Sequence, residues 1–199
     1  MKLDEQRCRT WLQAMVEGDE EAYRALFFHA YTPLYHFAFS IIKSHEAAEE
    51  IVSDVLFKVW QQRSRLVKVE QLKLYLYVAI KNTALNYQTR TRRNLLERLE
   101  DCPPDLLSSA PSPEELYLTV EMQRRIQLAI QQLPPRCRVI YQLVKENGLK
   151  HKEVAVLLGI SQKTVEAQMG IALKKIADAL APQMEKIFLG KATDMPSNP

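Results

Sequence analysis

The sequence predicts an all-α protein: two small helical domains joined by a Pro/Ser/acidic linker, the C-terminal one carrying a helix-turn-helix. Three observations lead there. Only five glycines occur in 199 residues, and the better helix formers Leu, Ala, Glu, Lys, Gln and Arg dominate. Apolar residues recur at helical spacing from about residue 5 to 93 and again beyond 114, with no long β-branched alternation. Between these stretches, "DCPPDLLSSAPSPEE" holds four prolines and three serines. Proline removes backbone donors and resists helix, so residues 96–113 read as a linker between domains at 5–95 and 114–182. A tail over 183–199 is expected to fray. With 47% apolar residues the chain can build two cores, each of them small.

Along the first domain, Gly18 and Asp19 form a helix stop followed by a fresh N-cap. The stretch over 25–42, "ALFFHAYTPLYHFAFSII", is the most membrane-like. It sits at the lower length limit for a span and carries His29, Thr32, Pro33, His36 and Ser40, so it is expected to be a buried helix. Ser44 caps the next helix, whose first turn holds Glu46, the charge the helix dipole favours there. In "AAEEIVSDVLFKVW", Ile51, Val55 and Val59 form one stripe with Val52, Leu56 and Trp60 beside it. Glu50, Ser53, Asp54, Lys58 and Gln61 fall on the opposite, wet side. A basic connector, "QQRSRLVKVEQ", leads to a helix from about residue 72. There Leu76, Ile80, Thr83 and Tyr87 take core spacing, while Tyr75, Val78, Asn82, Asn86 and Arg90 share a second face that runs into Arg92 and Arg93. Aromatics stack on exposed bases and arginines hold phosphates, so this second face suits nucleic acid.

In the second domain "LPPRCR" separates two helices, and "HKEVAVLLGISQKTVEAQMG" follows. Ala155 is small where two helices would cross. Gly159 supplies a turn residue with positive φ, Ile160 plugs the core, and Ser161 caps the second helix. Val165, Met169, Ala172, Leu173 and Ile176 form the inner face of that helix, and Gln162, Lys163, Glu166, Ala167 and Gly170 face outward. That pattern fits a recognition helix, with Lys150, Lys152, Lys163, Lys174 and Lys175 as candidate phosphate contacts, and, taken alone, also a helical corner that binds no DNA.

Charge supports two separate contacts with a polyanion. Residues 61–95 carry eight Lys/Arg against one acid, and residues 136–176 carry eight against three, with acidic stretches between and before them. Enzymatic classes find no foothold. There is no phosphate-cradling glycine loop, no metal-ligand cluster and no nucleophile–base spacing, so no catalytic residue, cofactor, metal or small-molecule substrate is expected. Cys8, Cys102 and Cys137 are odd in number and far apart. They make neither a zinc site nor a disulfide framework, and free thiols fit a reducing cytoplasm.

Taken together, these segments resemble the small, two-domain extracytoplasmic-function class of bacterial RNA polymerase sigma factors, over nearly the whole chain. "AYRALFFHAYTPLYHFAFSII" is similar to the family's first conserved helix, through Leu26, Tyr31, Pro33, Leu34 and Ala38. "AAEEIVSDVLFKVW" resembles the helix that binds the polymerase clamp, and "YLYVAIKNTALNY" with "RTRR" the helix that reads and opens the −10 element. "QQLPPRCRVIYQL" and the helix-turn-helix are similar to the domain that reads the −35 element. Four departures stand out: Ser53 where the family often has Gln, Leu56 where it often has Phe, Asn86 where Asp is common, and "AQMGIA" in place of late basic residues.

The resemblance implies a non-enzymatic protein whose partners are core RNA polymerase, through its clamp coiled coil and its flap, and promoter DNA. It implies core contacts at Glu50, Ser53, Asp54, Lys58 and Gln61, and −10 contacts at Tyr75, Asn82, Asn86, Arg90, Arg92 and Arg93. It implies −35 contacts at Lys150, Lys152, Ser161, Gln162, Lys163, Thr164, Glu166, Ala167, Gly170 and Lys174. An anti-sigma protein, often membrane-anchored in this class, is a further expected partner. The alternative is a helix-turn-helix regulator that acts on duplex DNA without polymerase.

Overall fold

The structure is a computed structural model that describes residues 4–95 and 117–192, with side chains over 4–89 and 124–181. The expected linker and the last residues of the tail lie outside the described residues. Two compact units are present. One combines residues up to 95 with 142–162; the other combines 117–141 with 163–192.

In the first unit, α1 (Glu5–Val16), α2 (Glu20–Ile42), α3 (His45–Gln61) and α5 (Leu72–Leu95) pack around one core, and the short α4 (Arg63–Leu66) fills the connector. The breaks fall where local chemistry puts them. Gly18 takes φ 92°, and the Asp19 carboxylate accepts the Glu21 and Ala22 N–H groups at 2.8 and 3.1 Å. Ser44 Oγ accepts the Ala47 N–H at 3.3 Å. These bonds satisfy donors that a helix start otherwise leaves unpaired.

The core buries Leu12 and Met15 of α1, Leu26, Leu34 and Phe37 of α2, and Ile51, Val52, Val55, Leu56 and Val59 of α3. Each such side chain contributes about 1.5–3 kcal/mol through removal from water. The 25–42 stretch is helical, but it is buried only along one stripe, Leu26, Ala30, Leu34, Phe37 and Ala38, and Phe28 is 79% exposed. The expected buried helix is instead amphipathic, because the core covers only one of its faces. Among the described residues, no helix is long and apolar enough to cross a membrane.

The buried stripe of α5 differs from the expected one. Leu76 and Ile80 are buried, but Thr83 and Tyr87 are only half-buried. Leu72, Tyr77 and Ala84 are fully buried instead. The helix is flanked by α1, α2 and α3 together, so its apolar stripe is broad and turns toward Tyr77, whose ring meets Phe37 edge-on at 5.3 Å.

Long-range side-chain bonds tie the connector down. The Glu5 carboxylate accepts the Leu72 and Lys73 N–H groups at 2.6 and 3.1 Å, capping α5 from the start of the chain. Arg9 donates to the Glu70 carbonyl at 2.6 and 3.2 Å. Arg63 donates to the Met15 carbonyl at 2.7 Å and the Trp60 carbonyl at 2.9 Å, with its guanidinium 4.3 Å over the Trp60 ring.

After a π-helical turn, Gln142–Glu146, the chain passes Gly148 at φ 69° into α8 (His151–Leu158), which packs on α5 within the same unit.

The second unit contains α6 (Tyr117–Gln131), α7 (Pro135–Tyr141) and most of α9 (Gln162–Ala192). One core cluster joins Ala129, Leu133, Cys137, Ala172 and Ile176, with Ile130, Tyr141 and Leu180 at its edge, and Ile140, Val165 and Met169 are buried as well. Arg138 closes the α6–α7 corner by donating to the Gln131 and Leu133 carbonyls. Cys137 Sγ donates to the Gln168 carbonyl at 3.3 Å. The helix α9 continues past residue 182, where the tail was expected to begin, because Gln, Met, Glu and Lys in the following turn are good helix formers. Residues beyond 192 lie outside the described residues.

Candidate nucleic-acid interface

Helical periodicity puts one wet stripe on α3. Glu50, Ser53, Asp54, Lys58 and Gln61 are all exposed, above the buried Ile51, Val52, Val55, Leu56 and Val59. In the middle of that stripe stands Phe57, 54% exposed, which the sequence reading did not single out. The signal available was spacing: Phe57 lies four residues after Ser53 and four before Gln61, on the face that periodicity turns to water. Alongside, Tyr23, Phe27, Tyr31, Tyr35 and Phe39 recur every fourth residue of α2 and touch ring to ring. Trp60 closes this ladder at one end and His45 at the other. Burial raises the Tyr31 and Tyr35 hydroxyl pKa values, and the nearby Glu49 carboxylate adds to the rise.

On α5, Asn82 and Asn86 are exposed and Tyr75 is half-buried. The positions fall seven and four residues apart, which keeps them on one face of the helix. Arg90, Arg92 and Arg93 lie in α5, but their side chains fall outside the described residues. The basic block over 61–95 is not wholly a solvated surface. Arg63 is turned inward, as above, Lys73 is 8% exposed, and Lys81 Nζ donates to the Leu157 carbonyl at 2.9 Å. Arg65 and Lys68 remain exposed.

The helical corner that ends α8 follows its sequence closely. Gly159 takes φ 66°, and its N–H and that of Ile160 return to the Val156 and Ala155 carbonyls at 3.3 and 3.0 Å. The conformation is left-handed, so a side chain there would be strained. The Glu153 carboxylate accepts the Lys150 N–H at 2.8 Å and closes the first turn of α8. Val154, Ala155 and Leu157 are buried, whereas Ile160, expected to plug the core, is half-buried. On α9, Gln162, Lys163, Glu166, Ala167, Gly170, Lys174 and Lys175 are exposed, Ser161 is exposed just before it, and Thr164 is half-buried. Lys150, the residue before α8, and Lys152 on it are exposed. The inner face consists of Val165, Met169, Ala172 and Ile176; Leu173, expected with them, is 46% exposed. Buried residues at spacings of four, three and four make a stripe one residue wide, and Leu173 falls beside it.

Against known families, residues 26–94 match the model of sigma-70 region 2, and residues 123–176 match that of sigma-70 region 4. The chain belongs to the sigma-70 family of RNA polymerase sigma factors. One relative within this family is an ECF sigma factor. It is 24% identical over 177 residues to the probable RNA polymerase sigma factor RfaY of Xanthomonas campestris pv. campestris, a match over 88% of this chain and 44% of that protein. It is 22% identical over 148 residues to the ECF RNA polymerase sigma factor SigE of Mycolicibacterium smegmatis, over 74% of this chain and 57% of that one. The sigma factor thus spans about half the length of these two relatives. Among solved structures, the sigma factor RpoE of Bartonella quintana, in complex with the anti-sigma factor NepR, shares the fold. Its TM-score is 0.56 at 17% identity, covering 80% of this chain and 96% of that one.

Proposed function

We propose that this sigma factor binds core RNA polymerase and directs promoter-specific initiation, with α3 on the clamp, α5 at the −10 element and α9 at the −35 element. The observation that carries the reading is the succession of a region 2 match and a region 4 match on one chain. The solvent-facing positions support it. The exposed stripe of α3 offers Glu50 and Asp54 around Phe57, a set that suits a basic, partly apolar partner surface. On α5, Asn82 and Asn86 offer amides that both donate and accept, which suits the edge of a base unstacked from the duplex. On α9, the outward residues Gln162, Lys163, Glu166, Ala167 and Gly170 suit a major groove, with lysines for phosphates.

In this reading the residues at 5–95 and 114–182 are the two working domains, and 96–113 spans between them. The protein acts in the cytoplasm and carries no catalytic centre of its own; chemistry belongs to the polymerase. The RpoE of Bartonella quintana was solved with an anti-sigma factor, and we propose that this sigma factor too is held by a protein inhibitor.

The test is binding of the purified protein to sigma-free core polymerase, followed by run-off transcription on fragments of the host genome. Tight core binding with new, discrete transcripts is expected. Specific duplex binding by the protein alone, without core binding, would instead identify an ordinary helix-turn-helix regulator. Within the reading, Asn82→Ala is expected to lower promoter opening by about tenfold, the cost of one lost base contact, while core binding holds. Equal losses in both assays would assign Asn82 a folding role.

A further inference from the structure

The chain holds five asparagines, and only one of them, Asn147, is followed by glycine. Asn82, Asn86 and Asn94 precede Thr83, Tyr87 and Leu95 within α5. A helix commits each backbone N–H to a carbonyl four residues earlier and holds it away from the preceding side chain. Asn198 precedes Pro199, which has no N–H. Asn147 differs from all four. It stands in the bend between the π-helical turn and α8, half-buried, with an exposed Gly148 after it.

Hydrogen bonding isolates one donor in that bend. The Asn147 N–H donates to the Gln142 carbonyl at 2.8 Å, and the Leu149 N–H donates to the Leu143 carbonyl at 2.9 Å. Between them, the Gly148 N–H meets no backbone carbonyl among the described residues. Among those residues no hydrogen bond holds the Asn147 carboxamide either. Gly148 takes φ 69°, and without a Cβ it leaves the approach to its nitrogen open. The nucleophile and the carbonyl are neighbours in one chain, so their meeting costs little entropy.

The chemistry needs only water. The Gly148 nitrogen gives up its proton and attacks Asn147 Cγ. The N–Cγ bond forms, the Cγ–Nδ2 bond breaks, and the proton ends on the departing ammonia, leaving a succinimide ring. Water then cleaves one of the two ring C–N bonds. Cleavage at Cγ leaves aspartate, and cleavage at the main-chain carbonyl leaves isoaspartate, with the chain running through Cβ and Cγ. No atom changes oxidation state.

Buried residues anchor the bend on both sides, Leu143 before it and Leu149 after it. Isoaspartate adds a main-chain carbon between the two hydrogen bonds that shape the bend. Aspartate puts a charge directly after Glu146. Either product alters the lead-in to α8, the first helix of the helix-turn-helix.

We propose that Asn147–Gly148 is a self-modification site, where the chain passes through a succinimide to aspartate and isoaspartate and loses −35 affinity as it ages. The loss of affinity rests on the proposed role of the helix-turn-helix at −35; the modification itself does not.

The test incubates the full chain at neutral pH in water enriched in heavy oxygen and follows its peptides by mass spectrometry. Asn147 should take up the label at least about tenfold faster than Asn82 or Asn86, because attack within α5 first requires the helix to open. Isoaspartate formed there should accept a methyl group from an isoaspartyl methyltransferase. Equal or slower uptake at Asn147 overturns the site. As a second variant, Asn147→Gln enlarges the ring that must close and should lower uptake at that position by at least about tenfold. Undiminished uptake in it would mean direct hydrolysis and would overturn the ring mechanism. Holoenzyme made with aged wild-type chain should bind a promoter about tenfold more weakly than holoenzyme made with fresh chain, the worth of one base contact. Aged Asn147→Gln chain should keep the affinity of its fresh form. Equal affinity of fresh and aged wild type, with Asn147 converted, overturns the loss of function. Fresh wild-type chain that binds no core polymerase is a separate result: it removes the −35 reading, and the mass measurement still decides the site.

Discussion

The two cores of this sigma factor are built on different scales. Four helices of the first unit meet over a continuous set of large side chains, among them Leu12, Met15, Leu26, Leu34, Phe37, Leu56, Leu72, Leu76, Tyr77 and Ile80. Among the described residues, the second unit buries a shorter set, Ala129, Leu133, Cys137, Ile140, Val165, Met169, Ala172 and Ile176, with fewer large side chains. Small cores leave little margin over the entropy of ordering the chain. The first unit can therefore afford exposed polar groups along α3 and α5, whereas the second depends on individual contacts such as the Arg138 clamp and the Cys137–Gln168 bond.

The largest expected effect lies in the first core. Leu76 is fully buried, and Leu76→Ala should cost about 2–5 kcal/mol in chemical denaturation, the usual loss of transfer energy plus cavity. Leu133→Ala should fall at the lower end of that same range, about 2 kcal/mol, because smaller neighbours let the site collapse. The reverse order would break the comparison.

Two buried thiols then sharpen it without altering a core side chain. Cys8 is 0% exposed and Cys137 is 1% exposed. Burial, with Glu5 nearby, pushes the Cys8 thiol up to about 12. Burial also raises the Cys137 pKa, with Lys175 partly opposing it. Both therefore react only when their surroundings open. In timed alkylation read by mass spectrometry, Cys137 should be modified at least about tenfold faster than Cys8, corresponding to an opening free energy lower by about 1.4 kcal/mol. Equal rates would mean that the two cores open as one.

A smaller, stabilising change is expected on α9. A methyl group at Gly170 would meet nothing within 4 Å, and glycine in a helix interior is disfavoured. Gly170→Ala should raise stability by about 1 kcal/mol in thermal melts. If the same variant weakens −35 binding, glycine is present there for close approach to DNA; unchanged binding would make it dispensable to recognition.

The smallest effect is expected at Tyr77, whose buried hydroxyl finds no hydrogen-bond partner among the described residues. Tyr77→Phe should leave stability unchanged or raise it by up to about 1 kcal/mol. A clear loss on denaturation would reveal a partner for that hydroxyl and a tighter first core than the packing alone implies.

Much of this was legible in the chain because it is local. The Gly18–Asp19 and Ser44 starts and the Gly159 turn each depend on a few neighbouring residues, and all take the expected form. The wet stripe of α3 was equally readable, since helical periodicity separates Glu50, Ser53, Asp54, Lys58 and Gln61 from the apolar side without reference to any neighbour. Phe57 falls at the same spacing, in the middle of the wet stripe, and escaped notice only because its side chain is apolar. On α5 the periodicity was right but the burial of Thr83 and Tyr87 was overstated, and Tyr77 was missed.

By itself the sequence determined the helical class, the helix starts and turns, and the polar faces offered by α3, α5 and α9, all properties set within a turn or two of chain. The tertiary structure alone decided which flank of α5 is buried, that Arg63 and Lys73 serve the interior rather than a polyanion, and that Glu5 caps a helix sixty-seven residues away. It also decided that Lys81 meets the end of α8. Those outcomes depend on which elements pack together, and the free energy of burying or pairing a side chain is a property of its neighbours in space, not of its neighbours in the chain.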